Sequence, residues 1–166
     1  MAVMLPPEVA HLLQLLGYEW PEGNEDRVIE MGREWLDFGS GVHAPSADAE
    51  MARAHVTSEN RGAAVDAFNA NFRHEDGAPA VLAELGQAAA MCGGALFVVA
   101  GAIVVLKVVV VAQLVMLAVS IAEAIAAAVP TAGASMSLIP LMKVATSIAI
   151  NIAIGIAVET VMGGQG

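Results

Sequence analysis

Residues 81–129 read VLAELGQAAAMCGGALFVVAGAIVVLKVVVVAQLVMLAVSIAEAIAAAV, and this stretch decides the fold. Only Glu84, Lys107 and Glu123 are charged in it. Val98 to Val111 is rich in β-branched residues, which locally favour strands. Length argues the other way, because strands rarely exceed about ten residues and no turn signal breaks this run. The stretch is therefore expected to be helical. Pro130-Thr131-Ala132-Gly133-Ala134-Ser135 then reads as a turn, and a further helix is expected from about Ser137 to Val161, with Pro140 in its first turn. Gly163-Gly164-Gln165-Gly166 has the composition of a flexible linker, as though a further domain followed.

The preceding residues have a different character. Residues 1–90 hold fifteen acids and five arginines, whereas residues 91–166 hold two lysines and two glutamates. The whole net charge of −10 thus sits in the first part. The sequence divides by composition into an acidic segment 1–80, an Ala/Val-rich apolar segment 81–162 and the Gly-rich end 163–166. In the acidic segment, Pro6-Pro7-Glu8 starts a short helix carrying Val9, Leu12, Leu13 and Leu16, and Gly17 stops it. Asn24 is an N-cap candidate ahead of Glu25 and Asp26. Val28, Met31, Trp35 and Phe38 form the apolar stripe of a second helix, which Gly39-Ser40-Gly41 and Pro45 are expected to interrupt. Ser46 is placed as the cap of a third helix, Glu59 to Gly62 as a turn through which helix could also run, and Ala64, Val65, Phe68 and Phe72 as a further stripe. No stretch alternates with period two. The expected fold is all-α: an elongated helical bundle with a helical first half and a long apolar antiparallel helical hairpin.

Charge and motifs exclude several functions. A net charge of −10 disfavours nucleic acid, whose phosphates need a basic face. Cys92 is the single cysteine, so no internal disulfide and no cysteine-based zinc site exists; beside Gly-Gly and Ala it is expected to be packed. His55 and Glu59 stand four apart, and His74-Glu75-Asp76 clusters, but both read as solvated helical positions. Phosphate-binding and hydrolase fingerprints are lacking, and Gly93, Gly94 and Gly101 read as sites of close helix packing. No catalytic residue, metal or cofactor is expected, and the chain is read as a non-enzyme. No cleavable signal peptide is expected, since Met1 to Leu5 has no basic region and Pro6-Pro7-Glu8 ends the apolar run.

Both apolar helices are long enough to cross hydrocarbon, about 20 residues. Each nevertheless carries polar residues, and a charge inside a bilayer costs a few kcal/mol or more. Two readings stay open: a hairpin buried against the first half or a partner, and a hairpin that inserts through residues 95–160. A turn centred on Gly133 places Lys107 opposite Glu159 and Glu123 opposite Lys143, with Gln113 near Asn151. Such pairing would let an apolar hairpin hold its charges. Trp20, held by Pro21, and Trp35 are expected to be largely buried against the helices of the first half or a partner, as anchors whose truncation costs roughly 3–5 kcal/mol, with a docking edge for another chain as the other reading.

Residues Gly17 to Asp26, which contain Trp20-Pro21-Glu22-Gly23, together with Trp35 resemble the opening of the WXG-like N-terminal domain of actinobacterial polymorphic toxins. Ser58 to Phe68, with Gly62, resembles that domain's central turn and following helix. The resemblance spans roughly residues 5–125, and a domain of this kind stands at the front of a mycobacterial channel-and-toxin protein. Two departures stand out. The small WXG proteins carry Trp-x-Gly in the turn, where this chain has Asn60-Arg61-Gly62. Their Tyr-x-x-x-Asp/Glu export signal follows the helical hairpin, whereas the match here, Tyr18 with Glu22, lies in an early loop. The resemblance implies a non-catalytic secretion and targeting module of a toxin exported by the type VII route. It also implies a small WXG-type helical partner or self-association, with Trp20, Pro21, Trp35, Gly62 and Phe68 as anchors, and a secreted or envelope location. The alternative it implies is a membrane-inserting channel or translocation module that delivers a C-terminal toxin.

Overall fold

The computed structural model describes residues 7–20 and 22–163; of Pro7 and Glu8 it describes the backbone. Among the described residues six helices follow one another: α1 (Pro7–Leu15), α2 (Glu25–Gly41), α3 (His43–Glu59), α4 (Ala63–Phe72), α5 (Ala78–Ala126) and α6 (Ile139–Gly163). A 3₁₀ turn, Ala134–Leu138, leads into α6. No strand occurs among the described residues, so the all-α expectation holds. The β-branched run 98–111 lies wholly inside the 49 residues of α5. Gly164, Gln165 and Gly166 of the expected linker lie outside the described residues, and Gly163 closes α6.

Most helix ends follow their local signals. Gly17, at φ +82°, ends α1 in the left-handed conformation: Tyr18 N–H donates to Leu13 C=O and Gly17 N–H to Gln14 C=O. Asn24 caps α2, its Oδ1 accepting from Arg27 N–H at 3.1 Å. Pro79 stands in the first turn of α5, where its missing N–H costs nothing. The junction of α2 and α3 departs from expectation. Gly39, Ser40 and Gly41 do not interrupt α2 but belong to it, and α3 starts at His43, three residues before Ser46. Pro45 is accommodated in the first turn of α3, and Val42, the residue between the two helices, is itself near-helical at φ −75°, ψ −11°.

The chain forms two compact units. One is continuous, Val28–Phe97; the other joins Met1–Arg27 with Val98–Gly166. In the continuous unit α2 and α5 run antiparallel at a glycine seam. A Cβ placed on Gly32 would stand 3.2 Å from Gly93 C=O, and one on Gly39 would stand 2.9 Å from Gly86 C=O. Reciprocally, a Cβ on Gly93 would meet Gly32 C=O at 2.8 Å. Glycines seven apart on both helices thus bring two backbones together, with Ala89 packed between. This is why Gly39 sits inside a helix despite its poor propensity: close approach requires the absence of a side chain. In the same unit α3 packs on α4, where Arg53 is buried. Its guanidinium donates to Glu50 and, at 2.7 Å, to Asn69 Oδ1, and it lies over the Phe72 ring.

In the other unit the core is Leu13, Val110, Leu114 and Ile150, contributed by α1, α5 and α6. Each buried aliphatic side chain of this kind stabilises by roughly 1.5–3 kcal/mol. Tyr18 and Trp20 pack on its edge. The hairpin turn is built by Ala132 at φ +50° and Gly133 at φ +88°. Gly133 N–H donates to Ala128 C=O at 2.8 Å, and Ser135 Oγ to Ala124 C=O at 2.7 Å.

Candidate interaction site

The loop between α1 and α2 is fastened to α5 by one side chain. Lys107 projects from the middle of the apolar run and is buried, with 3% of its side chain exposed. Its Nζ donates to Glu25 Oε2 at 2.6 Å and to Gly23 C=O at 2.7 Å, and lies 5.9 Å from the Trp20 ring centroid. Glu25 is equally buried, at 5%. Ile103, one turn earlier on α5, fills the space beside Gly23. A lysine in an apolar helix is tolerable here because an anion, a carbonyl and an aromatic face replace its water. Tyr18 adds a second fastening, its hydroxyl donating to Ser147 C=O of α6 at 3.1 Å. The tyrosine of the Tyr18–Glu22 match is therefore engaged in packing.

This geometry corrects the expected hairpin pairs. Lys107 pairs with Glu25, not with Glu159, which is exposed. Glu123 is exposed, Lys143 is half-buried, and no ion pair joins them among the described residues. The reason is the register. An apolar groove of about 430 Å³ is lined on α5 from Val98 to Val109 and on α6 from Ala149 to Thr160. The helices are antiparallel as expected, but α6 is displaced by about one to two turns from a hairpin centred on Gly133. The bend begins at Ala127 and the 3₁₀ turn consumes Ala134–Leu138, so the turn is longer than the Pro130 to Ser135 stretch implied.

The other anchors separate. Trp20 is half-buried beside Lys107. Pro21 lies outside the described residues. Trp35 is 40% exposed, so the helices of the first half do not bury it, and it stands on the surface as the docking-edge reading has it. The cause is rotation about α2: Gly32 and Gly39 occupy the face against α5, which turns Met31, Trp35 and Phe38 to its flank. Trp35 and Phe38 meet edge to face, with centroids 6.1 Å apart, and with Glu34 line a shallow hollow of about 250 Å³. Gly62, at φ +123°, sets the start of α4, a backbone angle that side chains rarely adopt. Phe68 is 42% exposed and leans on Phe72.

The remaining candidates carry little chemistry. His74, Glu75 and Asp76 bring their ligand atoms within 4.8 Å of one another, but all three are exposed in the turn after α4. His55 and Glu59 stand 3.8 Å apart on an open helix face. Cys92 is exposed rather than packed, because its neighbour Gly93 takes the contact with α2. Of the three glycines read as packing sites, Gly93 is one; nothing approaches Gly94 or Gly101 within 4 Å of an added Cβ. Sequence reasoning missed the Arg53–Glu50–Asn69 cluster. The Arg53 guanidinium holds the Glu50 carboxyl below the usual carboxylate range, chiefly through their hydrogen bond. The Glu50/Arg53 spacing of three on one helix was its only local signal.

Comparison with known proteins adds one finding. A family model described as a WXG100 like domain matches residues 4–148. No curated protein and no solved structure matches the chain.

Proposed function

The chain belongs to the WXG100-like domain family, helical proteins associated with type VII secretion, and from that premise we propose that it is a non-catalytic secretion and targeting module of an exported toxin, paired with a small helical WXG-type protein. The observation that carries this reading is the extent of the match. Residues 4–148 embrace both the acidic helices and most of the apolar hairpin, so the two compositional halves fall within one family unit. The buried Lys107–Glu25 pair is consistent with it, since it fastens the loop before α2 to α5. The test is co-expression. The full chain produced with a small WXG-type protein should recover as a stable complex from the soluble fraction without detergent. Failure of every such partner to co-purify would remove the pairing.

A second reading rests on its own observation. The windows of α5 and of the 134–163 segment that are apolar enough to cross a membrane are only 22% and 11% buried. On this reading the hairpin inserts and passes a downstream toxin domain. Recovery in the membrane fraction, together with conductance across lipid bilayers, would favour it over the first.

A further inference from the structure

Met31, Trp35 and Phe38 are spaced at helical intervals on α2 and are exposed by 48%, 40% and 47%. They make a continuous apolar ridge on one flank of that helix. The glycine seam beside it is fully used, because α5 occupies it at backbone distance, so the ridge is not the contact that holds α2 in place. The ridge has an acidic border. Glu34 lines the hollow with Trp35 and Phe38, and Glu30 and Asp37 are exposed on the same helix. None of these three carboxylates is in an ion pair among the described residues. Arg33 and Arg27 are the only cations of α2.

We infer that the Met31–Trp35–Phe38 ridge is the docking face for an amphipathic helix of a partner chain whose apolar stripe is bordered by lysine or arginine. The inference rests on the partner-pairing reading above and names the face and its chemistry. Aromatic side chains around a shallow hollow are the usual form of a binding hot spot, because they desolvate a large area at low entropic cost. The acidic border then selects the partner. Basic flanks meet Glu30, Glu34 and Asp37 favourably, whereas acidic flanks are repelled. The same border disfavours a second copy of this chain, whose corresponding flank carries the same carboxylates.

The full chain is titrated by calorimetry with two synthetic helical peptides that share one leucine stripe, bordered in one by lysine and in the other by glutamate. The lysine-bordered peptide should bind at least ten-fold more tightly. Combining Trp35→Ala with Phe38→Ala should weaken it at least ten-fold while far-UV circular dichroism stays unchanged. Should that variant lose its helicity, the charge reversal Glu34→Lys with Asp37→Lys replaces it, and it should shift the preference toward the glutamate-bordered peptide. Equal affinity for the two peptides overturns the inference. So does binding that ignores both variants, or sedimentation showing that the chain self-associates through Trp35. The parent reading is judged separately. A WXG-type protein that co-purifies equally well with the ridge variant leaves the pairing standing and removes this face.

Discussion

The two compact units solve the same problem, holding a long apolar helix in place, by opposite chemical means. In the Val28–Phe97 unit α2 and α5 meet backbone to backbone, and what matters is the absence of side chains at Gly32, Gly39, Gly86 and Gly93. In the other unit the loop before α2 is held to α5 by one of the most polar contacts in the chain, a lysine and a glutamate removed from water. The first contact loses from any added atom; the second loses from any removed charge. A glycine seam is weakened by any added side chain but carries no chemical specificity. A buried ion pair costs desolvation, yet it fixes which loop residue meets which helix position.

This contrast can be broken at its strongest point first. Glu25→Ala leaves the Lys107 ammonium buried without its anion, which should destabilise the chain by about 3–5 kcal/mol. Replacing both partners, Glu25→Leu with Lys107→Met, should recover most of that loss. Denaturant midpoints of the two singles and the double measure it. If the double variant is no better than the sum of the singles, the pair is not coupled.

The seam gives the next effect, and here the sign is the test. Gly39→Ala and Gly93→Ala drive a Cβ against backbone carbonyls that have no room to yield and should destabilise by about 1–3 kcal/mol. Gly94→Ala and Gly101→Ala meet nothing within 4 Å and should stabilise α5 by about 0.5–1 kcal/mol, through helix propensity alone. Thermal unfolding of the four variants should split them into two groups. A uniform response would mean that the seam is not a close contact.

The hairpin turn should respond in the stabilising direction. Ala132 adopts φ +50°, where an alanine costs about 1–2 kcal/mol. Ala132→Gly relieves this and returns part of it as unfolded-chain entropy, leaving a net gain of up to about 1 kcal/mol. An unchanged or lower melting temperature would place the turn elsewhere.

Legibility differed between the same two regions. The helices themselves were written in stripes and caps: Gly17, Asn24, Gly62 and Pro79 each mark an observed boundary. What failed was three-dimensional. Gly39 looks like a breaker in the sequence, which does not show that Gly86 fills the space of its missing side chain across the seam. The same seam turned Trp35 outward, and one tryptophan on an apolar stripe carries no sign of which flank faces its neighbour. Lys107 was correctly expected to need a partner. Its partner lies 82 positions away, at the start of α2, which the four charges of the apolar half alone do not reveal. The turn Pro130 to Ser135 was legible, but the extra length taken by the 3₁₀ segment was not.

The smallest effect belongs to the α3–α4 contact. Glu50 has a folded-state pKa below its ordinary value, so its contribution is present above the unfolded-state pKa and is lost as pH falls through the lower, folded one. The melting temperature should therefore drop on acidification, and Arg53→Met should flatten that dependence. An identical pH profile in the variant would detach Arg53 from Glu50.

The central claim is that this chain is a helical type VII module. Its most direct test follows the full chain, co-produced with a WXG-type partner, in a type VII-competent host and in the same host lacking the secretion machinery. The account expects the chain in the culture medium or envelope of the first strain and its retention inside the second. Equal release from both strains, or retention in both, would contradict it.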